Sequence, residues 1–281
     1  MTSVEVFAPA KINLTLHVTG QRPDGYHLLD SLVVFADIGD RVTVSPAKQS
    51  RLTISGAMAQ GVPVDRRNLA LRAAELMGVT ADIHLEKNLP AAAGLGGGSS
   101  DAAATLRALS RMTGKPVPDP AEALTLGADV PLCMTDGLIR MQGIGDQLEH
   151  LEAAKSLSLI LINPGISMPT AAVFQGLKHK NLAPMDRRLP NLRGLDWITW
   201  LAAQRNDLET PAIRLAPEID QALQAMRECD GCLLARMSGS GATCFAIMRD
   251  DGAQTNAVEH LKRDFPKWWI KPCNLNRPAP V

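Results

Sequence analysis

Between Pro90 and Thr105 the chain reads PAAAGLGGGSSDAAAT. Four glycines (Gly94, Gly96, Gly97 and Gly98) stand directly before a run of good helix formers, where freezing their backbone freedom is costly. Glycines let the main chain come close to a ligand and turn successive N–H groups inward. A helix start adds unpaired donors and a positive dipole end. The pattern describes a phosphate cradle, with Ser99 and Ser100 as further hydroxyl donors or metal holders and Asp101 as a cap or a neighbour of a cation. A glycine-rich turn before a capped helix is the plain alternative. Neither common nucleotide loop fits: a Walker A loop needs a Lys after the glycines, and the dinucleotide fingerprint needs glycine where Ser99 stands.

With 281 residues the chain fills one large or two ordinary domains, and 46% hydrophobic residues supply real cores. Lys+Arg 29 balances Asp+Glu 29, so there is no global basic field and no nucleic-acid partner is expected. Any polyanion must be caught locally. The opening MTSVEVFAPAKINL lacks a basic region followed by an apolar core, and no apolar run approaches the length of a membrane span. A soluble, cytoplasmic protein without a membrane partner is the expectation. Five cysteines are scattered, and only Cys229 and Cys232 have CxxC spacing. No second pair or HxxxH completes four zinc ligands, so reduced structural thiols are expected and no protein-built metal site.

Period-two alternation sets Ile12, Leu14, Leu16 and Val18 on one face of a half-buried strand within residues 4–18. Turn chemistry at 21–25 ends it. Further strands are predicted at 30–35, 41–45, 51–55 and 81–86, and a helix at 68–77 with Gly78 as its C-cap. After the glycines a helix over 101–112 stops at Thr113-Gly114, and a short helix covers 120–127. A buried strand at 157–162 precedes a helix-rich stretch in which Trp197 and Trp200 lie one turn apart and 217–227 is amphipathic. Strands at 232–237 and 243–248 flank a second small-residue loop, and a helix over 254–265 and a strand at 267–272 follow. The chain divides near residue 155 into two α+β units, 1–155 with the glycine loop and 156–281.

Three more stretches gain meaning beside the glycine cluster. In Ala8-Pro9-Ala10-Lys11-Ile12-Asn13-Leu14, a Lys and an Asn occupy the face opposite the core residues; such a lysine is ordinarily a solvated edge residue unless an anion lies over it. Gly127-Ala128-Asp129-Val130-Pro131 holds a carboxylate among small and apolar neighbours, otherwise read as a turn or capping aspartate. Met237-Ser238-Gly239-Ser240-Gly241-Ala242-Thr243 is a small-residue loop, otherwise a tight hairpin. In this order and at these separations they make the chain resemble the GHMP small-molecule kinase superfamily, which includes galactokinase, homoserine kinase and mevalonate kinase. The opening APAKINLTL, followed by RPDGYHLLDSL, points to the branch acting on a cytidine-diphosphate-linked methylerythritol, and NDLE at 206–209 belongs to the same likeness. Departures are local: Ala91 where a bulkier residue is common, Leu132-Cys133 for an often aromatic pair, and Gly145-Asp146 for Gly-Glu.

The resemblance implies an α+β, two-domain GHMP kinase fold, with an N-terminal ribosomal-protein-S5-like domain and a C-terminal ferredoxin-like α+β domain. It implies a phosphotransferase that moves the γ-phosphoryl of ATP, with Mg²⁺, onto the 2-hydroxyl of that cytidine-linked alcohol, in the non-mevalonate route to isoprenoid precursors. Relatives acting on homoserine or mevalonate are the nearest rivals; an RNA-binding module is a remoter one, opposed by the zero net charge. By the same resemblance Asp129 is the base for the substrate hydroxyl, Lys11 lies beside both that carboxylate and the transferring phosphoryl, and Asn13 orients the hydroxyl or its water. Pro90, Ala91, Ala92, Ala93, Gly94, Leu95, Gly96, Gly97, Gly98, Ser99 and Ser100 would wrap the ATP phosphates, with Gly239 to Ala242 bordering the same cavity. Tyr26, the only tyrosine, and His27 match the cytidine site, and Phe174 is a second wall for the base. Monomer and homodimer both remain open.

Overall fold

The alternating N-terminal residues form strands β1 (Val4–Asn13) and β2 (His17–Gln21), both paired to the same long strand, β3 (His27–Pro46). The structure, a computed structural model, describes residues 2–152, 156–186, 189–190 and 196–275. Where the sequence pattern gives two strands at 30–35 and 41–45, the chain runs through as one. It can do so because β1 shifts register between Pro9 and Lys11, and because Gly39 lets the two backbones close up: a Cβ there would come 2.1 Å from the Ala8 carbonyl oxygen. Strands β4 (Arg51–Ser55), β5 (Ala81–Glu86), β6 (Leu138–Gly143) and β7 (Gln147–Leu151) complete a sheet of order β4-β5-β3-β6-β7, antiparallel except between β4 and β5. The hairpin of β6 and β7 has no counterpart in the sequence reading. Helices α1 (Leu69–Leu76) and α2 (Gly97–Thr113) cover one face, burying an alanine-rich surface against Val42, Val44, Ile83 and Leu85. Asn68 caps α1 by accepting from the Ala70 N–H, and Gly114 ends α2 with φ +75°. Two short helices, α3 (Pro120–Leu124) and α4 (Val130–Cys133), follow.

The second sheet contains β8 (Ser158–Asn163), β9 (Cys232–Met237), β10 (Cys244–Met248) and β11 (Trp269–Asn274), in the antiparallel order β11-β8-β10-β9. Between β8 and β9 lie helices α5 (Thr170–Gln175), α6 (Asp196–Ala203), α7 (Glu209–Leu215) and α8 (Glu218–Arg227), and α9 (Asp251–Asp264) joins β10 to β11. Strand, helices, two strands, helix, strand in the spatial order fourth-first-third-second is the ferredoxin-like arrangement. Helix α9 starts three residues earlier than the periodicity suggests, because Asp250 caps it by accepting from the Ala253 N–H at 2.8 Å. The cysteines described are all free thiols.

One hydrophobic cluster belongs to both sheets. Ile12, Leu14 and Leu32 from the first pack with Leu159, Leu161 and Phe245 from the second. Main-chain bonds reinforce the contact: the Leu16 N–H donates to Arg205 O, and the Asp207 N–H donates to Leu16 O, both at 2.8 Å. The division expected between 155 and 156 falls at residues 153–155, outside the described residues.

Candidate active site

Lys11 and Asn13 share one face of β1, two residues apart, and that face is covered by the glycine loop and by the second half of the chain. The Lys11 N–H donates to Leu95 O at 2.9 Å, and the Asn13 N–H donates to Ser238 Oγ at 3.1 Å. Both side chains are therefore buried, Lys11 at 5% exposure, and the solvated-edge alternative is corrected. A buried ammonium requires partners. Lys11 Nζ donates to Asn13 Oδ1 at 2.8 Å and lies 3.2 Å from Asp129 Oδ2. Asn13 Nδ2 in turn donates to Ser31 Oγ at 2.8 Å, so the amide is tied on both sides and holds the lysine in place. Asp129 precedes α4, whose first turn accommodates Pro131, but its side chain makes no capping bond. The carboxylate is turned to Lys11 instead, and at 37% side-chain exposure it remains open to a ligand.

The glycine loop reaches its shape by positive φ at Ala92, Gly94 and Gly96. Gly96, at φ +63°, precedes α2, so Gly97 and Gly98 lie inside the first helical turn rather than before the helix. The first helical bond runs from the Ser100 N–H to Gly96 O at 2.9 Å, which leaves the N–H groups of Gly97, Gly98 and Ser99 without helical acceptors. These donors and Lys11 border a cavity of about 310 Å³ that also meets Asp129, Gly239 and Ser240. The second loop backs the first: Ser238 Oγ donates to Gly94 O at 3.0 Å, and the Thr243 N–H donates to Ala93 O at 3.1 Å. Gly94 must be glycine for this contact, since a Cβ would stand 2.3 Å from Ser238 O. Not every residue of the stretch faces the cavity. Leu95 belongs to the core, and Ser100 is buried with its hydroxyl on Pro9 O at 2.8 Å. Gly241 and Ala242 lie behind Gly239 and Ser240, outside the lining, and Pro90 and Ala91 border a neighbouring cavity of about 560 Å³ with Met58 and Trp269.

Tyr26 and His27 flank a groove of about 720 Å³ that has Leu29, Ser99, Asp129, Thr170 and Phe174 in common with the glycine-loop cavity. Tyr26 is 56% exposed, an open aromatic face. His27 stacks on Phe174, with ring centroids 4.5 Å apart, so that face of Phe174 is occupied by the imidazole and not free for a base. Burial, followed by the charge of Lys180, lowers the His27 pKa and favours the neutral ring, whose Nε2 is buried without a partner among the described residues. Thr170 Oγ1 lies 2.9 Å from Ser240 Oγ and links the start of α5 to the second loop.

An ammonium-carboxylate pair beside unpaired N–H donors suits phosphoryl transfer, and comparison with known proteins agrees. Residues 68–148 match the family described as GHMP kinases N terminal domain, and residues 189–267 match GHMP kinases C terminal. The chain belongs to the GHMP kinases. This GHMP kinase is 53% identical over 274 residues to a 4-diphosphocytidyl-2-C-methyl-D-erythritol kinase of Cereibacter sphaeroides, covering 96% of this chain and 99% of the relative. A crystal structure of a 4-(cytidine 5'-diphospho)-2C-methyl-D-erythritol kinase superposes with a TM-score of 0.78 at 35% identity, covering 96% of this chain and 98% of the other. Homoserine kinase from Cytophaga hutchinsonii superposes at 0.66 with 18% identity, covering 98% and 95%, a likeness of fold alone. The two mixed α+β sheets are thus those of a GHMP kinase, a small-molecule kinase with ATP as phosphate donor.

Beneath the glycine helix of this GHMP kinase lies a buried cluster that the sequence reading did not assemble. Lys87 Nζ contacts both Asp40 Oδ2 and Asp101 Oδ2, the latter at 2.7 Å. Asp101, read as a cap or a neighbour of a cation, is instead 3% exposed and lies outside the cavity. One ammonium cannot neutralise two carboxylates, and burial raises the Asp101 pKa from its ordinary 3.8 to about 7, against the lowering pull of Lys87. The sign follows: the folded protein holds this proton up to about pH 7, whereas the unfolded chain releases it near 3.8, so stability falls as pH rises through that window. Thermal midpoints should decline from pH 3.8 to about 7 in the wild type more than in Asp101→Asn. Parallel curves for the two proteins would disprove the assignment.

Proposed function

We propose that this GHMP kinase transfers the γ-phosphoryl group of ATP, with Mg²⁺, to the 2-hydroxyl of 4-diphosphocytidyl-2-C-methyl-D-erythritol, a step of the non-mevalonate route to isoprenoid precursors. The observation that carries the reading is the meeting of two cavities at Asp129, one lined by glycine-loop residues and one by Tyr26 and His27. Donor and acceptor bound one in each have their reacting ends at that carboxylate. Full-length likeness to relatives bearing this activity in their names supports the choice of alcohol over homoserine or mevalonate. A cytoplasmic location belongs to the same reading; no helix among the described residues is long and apolar enough to cross a membrane.

Asp129 takes the proton of the 2-hydroxyl as its oxygen bonds to the γ-phosphorus, and the bond to the bridging oxygen breaks to release ADP. Lys11 keeps that carboxylate ionised and offsets charge on the transferring group. Asn13 holds Lys11 at this post and lines the same cavity, where it orients the hydroxyl or its water. The N–H groups of Gly97, Gly98 and Ser99 receive phosphate oxygens, while the nucleoside end leaves across Pro90 and Ala91 towards Met58. Among the described residues no group of three or more His, Cys, Asp or Glu could hold a metal. Mg²⁺ would be held by the phosphates together with the Ser99 hydroxyl, which lines the cavity, and would supply charge neutralisation. Cytosine stacks on Tyr26, and the neutral His27, steadied by Phe174, reads its edge.

A coupled ADP-release assay over a panel of alcohols is expected to select the cytidine-linked one; preference for mevalonate or homoserine would refute the substrate assignment. Tyr26→Ala should weaken substrate binding by about 1–3 kcal/mol and leave ATP affinity untouched, by analogy with base–aromatic stacking. Tyr26→Phe should be mild. His27→Ala should erode discrimination between cytidine and uridine forms of the substrate, which edge contacts provide. Titration of each variant with both forms separates these outcomes, and an unchanged Tyr26→Ala would remove the stacking role.

A further inference from the structure

Strand β9 is one of the two outer strands of the second sheet, and beside it lies a cavity of about 730 Å³ that the proposed reaction does not use. Five cationic side chains line it, Lys178, Arg205, Arg214, Arg227 and Arg236, against two carboxylates, in a chain whose net charge is +0. Both carboxylates are already engaged. Asp207 accepts from Arg205 Nε at 2.9 Å and from the Val18 N–H at 2.7 Å, and Glu209 accepts from the Met237 N–H at 2.9 Å. Arg236 spends its donors on backbone oxygens of Leu14, Leu201 and Gln204. Lys178, Arg214 and Arg227 make no hydrogen bond or ion pair among the described residues. Next to these charges stand Leu177, Leu182 and Leu233, the last 42% exposed.

Several unneutralised cations converging on one concavity attract an anion of more than one charge, and guanidinium forks match phosphate oxygens in pairs. The apolar wall gives the rest of such a ligand somewhere to lie. We propose that this cavity binds a small organic diphosphate, its phosphates held by Lys178, Arg214 and Arg227 and its apolar body resting on Leu177, Leu182 and Leu233. The site is separate from the phosphate cavity. Asn206 and Glu209 form part of its floor and bond the backbone of Met237 and Gly239, and only the far side of that loop faces the glycine helix.

Equilibrium dialysis tests this on protein saturated with a non-hydrolysable ATP analogue, using inorganic pyrophosphate in one arm and a medium-chain alkyl diphosphate in the other. Both should bind, the alkyl compound about tenfold more tightly because it also buries apolar surface. Arg214→Ala with Arg227→Ala should weaken both by about tenfold or more, while turnover without added diphosphate stays at the wild-type level. Leu233→Ser should weaken the alkyl compound alone. Absence of binding at millimolar ligand, or equal binding by the double variant, would overturn the site, and an alkyl diphosphate no tighter than pyrophosphate would overturn its organic half.

Discussion

Asp129→Asn is expected to lower turnover by about two orders of magnitude or more, with the fold and most nucleotide affinity kept. The structure separates these effects. Asp129 makes no capping bond to α4, so exchanging one carboxylate oxygen for an amide group removes nothing the helix depends on. What is lost is the carboxylate proposed as proton acceptor, which lies 3.2 Å from Lys11 Nζ. Lys11→Ala should reduce turnover comparably and weaken ATP binding in addition, because it removes the cation next to the transferring group and leaves Asn13 Oδ1 without its donor. Single-turnover kinetics at saturating ATP isolate the chemical step. A folded Asp129→Asn protein that still reacts at a near-normal rate would take this carboxylate out of the mechanism.

Gly96→Val should abolish most nucleotide binding in a protein that still folds. Two effects combine at this position. The backbone is in the left-handed region at φ +63°, where a β-branched residue is strained, and a Cβ would stand 3.0 Å from Lys11 Cε and 3.3 Å from Lys11 Cβ. The valine therefore displaces both the loop and the lysine. Gly114→Ala is the control: it has φ +75° at the other end of the same helix and nothing within 4 Å of the new Cβ. That variant should lose about 1 kcal/mol of stability and keep its kinetics. Calorimetry recording wild-type ATP affinity for Gly96→Val would reduce the glycine cluster to a turn.

Local patterns were legible where short-range chemistry decides the outcome. Strands β4 and β5 lie where alternation put them, and Gly78 and Gly114 stand at the ends of their helices. Alternation left open what distant chain decides. The solvated-edge alternative for Lys11 falls only because Ser238, some 225 residues from Asn13, covers that face of β1. The glycines look like a loop by propensity, but Gly97 and Gly98 are helical because α2 is held from below by Lys87 and Asp101 and from the side by Ser100 on Pro9. Phe174 was legible as an aromatic near the base site, but no spacing could reveal that its partner is His27. Asp40 stands on β3, Asp101 on α2 and Lys87 just after β5, and nothing short of the fold brings them together.

The contact of the two small-residue loops bears on when this enzyme can first work as it is made. Gly94 and Ala93 take hydrogen bonds from Ser238 and Thr243, and the Asn13 N–H donates to the Ser238 hydroxyl of the same loop. A growing chain that has emerged only through β7 holds the glycines and both reacting side chains but lacks the loop that braces them. It also leaves Ile12, Leu14 and Leu32 without their partners Leu159, Leu161 and Phe245. Still later, β11 closes onto β3 when the Asn274 N–H donates to Asp37 Oδ1 at 2.7 Å. Synthesis must therefore be almost finished before the nucleotide meets a formed cradle, and until then the nascent half presents an apolar face for a chaperone to shield.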